Sequence, residues 1–180
     1  MDLSAAAWTV IVLALVAANL PFVIERPLVA LPWPRPGAAA PGTAARWLRS
    51  LVFFALAAAW VRGTLALVGG AFAGGGDTVL PFLLKLLLVC ALAAALMALP
   101  GWRADPGRGP KPFLDRLVEV LVCYVLVGTL GFALELNLGN AFARTWEFYA
   151  VTLSLFLVLG YPGFVFRYML KRRRGAGRTS

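Results

Sequence analysis

Residues 78–99 read TVLPFLLKLLLVCALAAALMAL, and Lys85 is the one charged side chain in this run. A helix needs about 20 apolar residues to cross a hydrocarbon core of about 30 Å. An open strand could not satisfy its backbone in lipid, so helices and closed barrels are the structures that span a bilayer. The run therefore predicts a transmembrane helix.

Four more apolar stretches of similar length flank this one. With it, they predict an all-α bundle of five transmembrane helices, at about 3–24, 47–68, 78–99, 113–138 and 146–169. Residues 1–170 would form a single transmembrane domain, and 171–180 a basic tail. The composition agrees, since 61% of residues are hydrophobic and 14% charged, whereas soluble domains are nearer one half and one quarter.

Positive charge is concentrated in alternate loops. The net charge is +9, and one side of the predicted bundle holds nearly all of it: Arg26, Arg35, Arg46, Arg49, Arg103, Arg108, Lys111, Arg116 and the tail from Lys171 to Arg174. Cytoplasmic loops are enriched in Lys and Arg, so we expect the N-terminus outside and the C-terminus in the cytoplasm. The first span has no Lys or Arg before it, which favours an uncleaved helix over a signal peptide.

The residue types argue against several function classes. The chain has no histidine, and its two cysteines, Cys90 and Cys123, are far apart in apolar runs. Zinc, haem and iron–sulfur sites need His or clustered Cys, so we expect no metal and no cofactor. Without a nucleophile–base set we also expect no enzyme. Positive charge at helix edges argues against nucleic-acid binding.

Three charges within the spans form a predicted charge cluster: Arg62, Lys85 and Glu135. Intramembrane charges usually mark a functional site, and Glu135 is the natural partner for the two cations, followed by Asp77 or Glu147. The alternative is that Arg62 and Lys85 extend to the membrane surface. At the start of span four, Asp115, Arg116 and Glu119 have helical spacing, which predicts a local surface ion pair.

Proline and small residues suggest how the spans are shaped. Pro162 should kink or loosen span five, and Asn19 with Pro21 could do the same in span one. Small residues at helical spacing, such as Gly128 and Gly131, allow helices to approach closely.

Two blocks resemble a known family. Residues 8–26 read WTVIVLALVAANLPFVIER, and residues 114–167 include the segments GFALELNLGN, WEFYA and YPGF. They are similar to a small inner-membrane family of unknown function from Gram-negative bacteria, whose genes commonly lie beside those of the proton-pumping NADH:quinone oxidoreductase, complex I. The matching residues are Asn19, Pro21, Glu119, Gly131, Glu135, Gly139, Asn140, Trp146, Glu147, Phe148, Tyr149, Pro162, Gly163 and Arg167. The hairpin at 47–99 is expected to lie outside the family pattern.

The resemblance implies a multi-pass protein of the bacterial inner membrane. It also implies an accessory or assembly role for the respiratory NADH dehydrogenase, with the lipid bilayer and the membrane subunits of complex I as partners. The alternative is a small transporter or ion-coupled permease, in which Arg62, Lys85, Glu119 and Glu135 would line a polar path. No inverted repeat supports that alternative.

Overall fold

Five helices long and apolar enough to span a membrane form the chain in the computed structural model, which describes residues 3–34, 42–69, 79–102, 111–139 and 145–170. They are α1 (Leu3–Val23), α2 (Thr43–Thr64, continued as a π-helix over Leu65–Gly69), α3 (Val79–Trp102), α4 (Phe113–Asn137) and α5 (Trp146–Leu159). The last span continues as α6 (Tyr161–Val165) and a terminal π-helix (Phe166–Leu170). No strand occurs within these described ranges, so the expected all-helical architecture is confirmed.

Proline breaks one of the three helical spans that contain it and not the other two. The last span breaks where expected, because α5 ends at Leu159 and α6 restarts with Pro162 in its first turn. In contrast, α1 continues through Pro21 to Val23. Likewise α3 runs past Pro100 to Trp102, three residues beyond the predicted span end. Both of these prolines lie near a helix C-terminus, so only a short length of helix follows the hydrogen bond that each one removes.

The central helix of the bundle is α4. Its apolar window is 39% buried, whereas the windows of the other four spans are between 17% and 22% buried. It packs most extensively against α1, and also against the π-helical end of α2. One core cluster surrounds Ala18, Val120 and Cys123, and a second surrounds Val68, Leu130 and Ala133.

Neighbouring helices run in alternating directions. The C-terminal ends of α1, α3 and α6 meet the start of α4 at one end of the bundle, where residues 24–34 lie; we call this the loop end. At the opposite end, the far end, Asn137 of α4 donates a hydrogen bond to the Val68 carbonyl over 2.9 Å.

The glycines with helical spacing in α4 are not where the helices approach each other most closely. An ideal Cβ at Gly63 or Gly128 would have no atom within 4 Å, and at Gly131 it would make an ordinary contact with Val10 at 3.5 Å. The tight approach is at the break in the last span, where a Cβ on Gly163 would lie 2.8 Å from Asn19 Oδ1.

Candidate functional site

The most distinctive group of polar residues is a buried set of charges at the loop end. Glu119, in the second turn of α4, is 0% exposed. Its Oε2 pairs with Lys111 Nζ at 2.6 Å, and its Oε1 accepts a hydrogen bond from the backbone N–H of Leu28 at 2.9 Å. Both carboxylate oxygens are therefore used within the chain.

Two cations, Lys111 and Arg116, donate hydrogen bonds to backbone carbonyls at the end of α1. Lys111 Nζ donates to the Ile24 carbonyl over 3.1 Å. Arg116 Nη1 donates to the Pro21 carbonyl over 2.8 Å and to the Phe22 carbonyl over 3.2 Å. The last carbonyls of a helix have no partner within it and carry partial negative charge, so Lys111, just before α4, and Arg116, in its first turn, stabilise this end of α1.

Glu25 links α4 to the last span. Its Oε2 pairs with Arg116 Nη2 at 3.2 Å, and its Oε1 pairs with Arg167. One carboxylate from the loop thus joins arginines from two helices. The Glu25 side chain is 44% exposed, so the part of the network that includes it lies at the edge of the buried group.

A further hydrogen bond holds the loop after α1 at Trp33. Trp33 Nε1 donates a hydrogen bond of 2.8 Å to Asp115 Oδ1. Asp115 is fully buried in the first turn of α4, where a carboxylate is favoured by the positive end of the helix dipole.

We define the loop-end charge cluster as six residues whose charges sum to zero: Lys111, Arg116 and Arg167 with Glu25, Asp115 and Glu119. Buried charges are tolerated where they are paired and hydrogen-bonded, and removing one partner is strongly destabilising. The cluster therefore holds residues 21–33 against the start of α4 and connects both to the last span.

The predicted local surface pair is wrong for these residues. Asp115, Arg116 and Glu119 are buried, and the bonds described above run to the end of α1, to the segment after it and to Lys111, and not between the three of them. Asp115 and Glu119 are four residues apart on one face of α4, and Lys111 precedes the helix by two residues. The spacing of the two carboxylates is the one sequence signal for a buried polar face at this end of α4.

The structure places the predicted charge cluster differently. Arg62 is exposed on α2 and makes no hydrogen bond or ion pair with the described residues. Lys85 and Glu135 are both half-buried, on α3 and α4. A common role for these three residues stays a prediction.

Several residues of the family resemblance take part in contacts between helices. Asn19 and Gly163 are bonded to each other, Glu119 and Arg167 belong to the loop-end charge cluster, and Gly139 ends α4 with a φ of 77°. Trp146, Glu147, Phe148 and Tyr149 are all exposed. Asn140 lies outside the described residues, as do the tail arginines.

Two cavities lie beside α1. The first, of about 520 Å³, is lined by α1, α3 and α4, and the second, of about 630 Å³, by α1, α4 and α5. Glu135 lines the second, while Glu119 and Lys111 line neither. Among the described residues, no group of three or more His, Cys, Asp or Glu could hold a metal ion. The arrangement of the loop-end charge cluster fits a structural connection.

Comparison with protein families gives one match. A family model described as "Protein of unknown function (DUF2818)" matches residues 6–75 and 78–171. The matched residues include both helices of the 47–99 hairpin, in contrast to the expectation that the hairpin lies outside the family pattern. Comparison with curated proteins and with solved structures found no match.

Proposed function

We infer that this chain, which belongs to the DUF2818 family of proteins of unknown function, is a non-enzymatic accessory or assembly factor of the respiratory NADH dehydrogenase. It would act as a multi-pass protein of the bacterial inner membrane, with its C-terminus in the cytoplasm. The resemblance described above supplies the link to complex I.

The observation that carries the proposal is the exposed start of α5. Residues 145–151 are all exposed, and they include Trp146 at 75% and Tyr149 at 55%. At 3.6 residues per turn, seven successive residues pass almost twice around a helix. This segment therefore has no side packed fully against the described chain, and aromatic residues are enriched where proteins bind each other.

The charges support a scaffold role more than catalysis or transport. Those of the loop-end charge cluster are paired within the chain, so they connect its own elements. The transporter alternative has less support, because apolar side chains line most of both cavities.

The test is affinity purification of the tagged chain in a mild detergent, followed by mass spectrometry of the proteins that accompany it. We expect membrane subunits of complex I, and their loss when the host strain lacks that complex. A Trp146→Ala/Tyr149→Ala variant should lose them as well. Its matched control is Leu155→Ala/Val158→Ala, on the same helix, with residues 58% and 68% exposed.

Two results would contradict the proposal in different ways. Recovery of the chain alone, also after chemical cross-linking in intact cells, excludes an accessory contact with complex I. Equal recovery of subunits by both double variants would retain the accessory role and exclude the start of α5 as the contact surface.

A further inference from the structure

The cavity between α1, α3 and α4 is a cleft that runs along α3. Element α3 packs against α2 and its π-helical end, and has few contacts with α1 or α4. At the far end, the core cluster of Phe82, Val89 and Leu130 brings α3 back to the bundle. At the loop end, an ideal Cβ on Gly101 would lie 3.0 Å from the Pro27 carbonyl, so α3 touches the loop there.

Small side chains create the space between these two contacts. The residues of α3 that line the cavity before Trp102 recur at helical spacing and are small except for one methionine: Cys90, Ala93, Ala94, Met97, Ala98 and Gly101. Trp60 of α2 lies at the back, where its Nε1 donates a 3.0 Å hydrogen bond to the Val89 carbonyl. The volume of about 520 Å³ is in the usual range for a ligand site.

The length of the cleft matches one leaflet of a bilayer. From Cys90 to Gly101 there are eleven helical steps, or about 16 Å at 1.5 Å per residue. The hydrocarbon core is about 30 Å thick, so one leaflet contributes about 15 Å. An acyl chain inserted from the loop end would therefore extend along the whole cleft.

A cation lies at the mouth of the cleft. Arg26 lines its loop end, is exposed, and makes no hydrogen bond or ion pair with the described residues. Trp102, 80% exposed, lines the same end. Arginine binds phosphate through planar paired hydrogen bonds, and tryptophan favours the level of the lipid headgroups.

We propose that this cleft binds one acyl chain of an anionic phospholipid, whose headgroup phosphate contacts Arg26. The apolar walls select the acyl chain, and the arginine at the mouth selects the negative charge. The site is independent of the proposed accessory role, because none of the residues that form it lies on α5.

Native mass spectrometry of the full-length protein tests the proposal. The protein is taken from mild detergent with equal amounts of dioleoyl phosphatidylglycerol and dioleoyl phosphatidylcholine. We expect the wild type to retain one phosphatidylglycerol in preference to phosphatidylcholine. Ala94→Phe fills the cleft and should reduce retention to background. Ala95→Phe is the matched control, because Ala95 is the next residue on α3, is also exposed, and does not line the cleft.

A second pair of variants tests the headgroup contact. Arg26→Gln should lower the preference for phosphatidylglycerol about fivefold, the effect of one cation near the membrane surface, and Arg49→Gln on α2 should not. Three results overturn the proposal: no preference in the wild type, equal retention by Ala94→Phe and Ala95→Phe, or a neutral polyprenyl lipid recovered from the cleft. Circular dichroism confirms that each variant is folded.

Discussion

The side-chain amide of Asn19 in α1 takes the place of one backbone hydrogen bond of the last span, between Gly163 and Leu159. Its Oδ1 accepts from the Gly163 N–H at 2.6 Å, and its Nδ2 donates to the Leu159 carbonyl at 2.9 Å. Residues 159 and 163 are four apart, so in a regular helix these two backbone groups would bond to each other. The side-chain amide of a different helix replaces that bond and holds the break open.

Replacing Asn19 by alanine should destabilise the bundle. The change leaves the Gly163 N–H and the Leu159 carbonyl without the partner they have here, at a cost of about 1–3 kcal/mol. The free energy of unfolding is measured by denaturant titration in mixed micelles. Thr9→Val is the control, because Thr9 bonds only the Ala5 carbonyl of its own helix. Equal losses for both variants would contradict the inserted-amide interpretation.

Gly163→Ala should also destabilise the protein, for a steric reason. The new Cβ would lie 2.8 Å from Asn19 Oδ1, and such overpacking costs about 1–3 kcal/mol. Gly63→Ala is the matched control, since nothing lies within 4 Å of its Cβ position. When Asn19 is already alanine, Gly163→Ala should cost less, because the atom in conflict is gone. A cost unchanged by that background would refute the assigned clash.

The ion pair of Lys111 and Glu119 should show strong coupling. Each single variant, Lys111→Met or Glu119→Gln, removes one member of a buried pair and should cost about 3–5 kcal/mol. The double variant should cost clearly less than the sum, since neither side chain is then left as an isolated buried charge. The same unfolding titration measures all three. Glu147→Gln, at an exposed position, should change little, and strictly additive losses at 111 and 119 would rule out the pair.

Gly139 should tolerate replacement poorly because of its backbone. Its φ of 77° lies in the left-handed region that ends many helices. Alanine there should cost about 1 kcal/mol, and asparagine less, because asparagine tolerates this conformation better. Gly128→Ala provides the comparison in the same helix, where a Cβ meets nothing within 4 Å. If the 139 and 128 alanine variants unfold alike, the conformational explanation fails.

Long apolar runs were enough to predict the five helices, and Pro162 was enough to predict the break in the last span, because both signals act locally. The loop-end charge cluster was not predictable in the same way. Glu119 contacts the backbone of Leu28, 91 residues away, and sequence spacing reports only partners on the same helix. Arg62 and Glu119 illustrate the difference, since both lie equally far from the nearer end of their predicted spans, yet Arg62 is exposed and Glu119 is buried.

The long sequence separations at the loop end also set an order of biogenesis. The segment after α1 leaves the ribosome well before Lys111, Arg116 and Glu119, and Arg167 follows later still. Glu25 is therefore synthesised before Arg116 and Arg167, and the α2–α3 hairpin is made in the interval between them. The ion pairs of Glu25 with Arg116 and Arg167 therefore form only after α4 and the last span have both been synthesised.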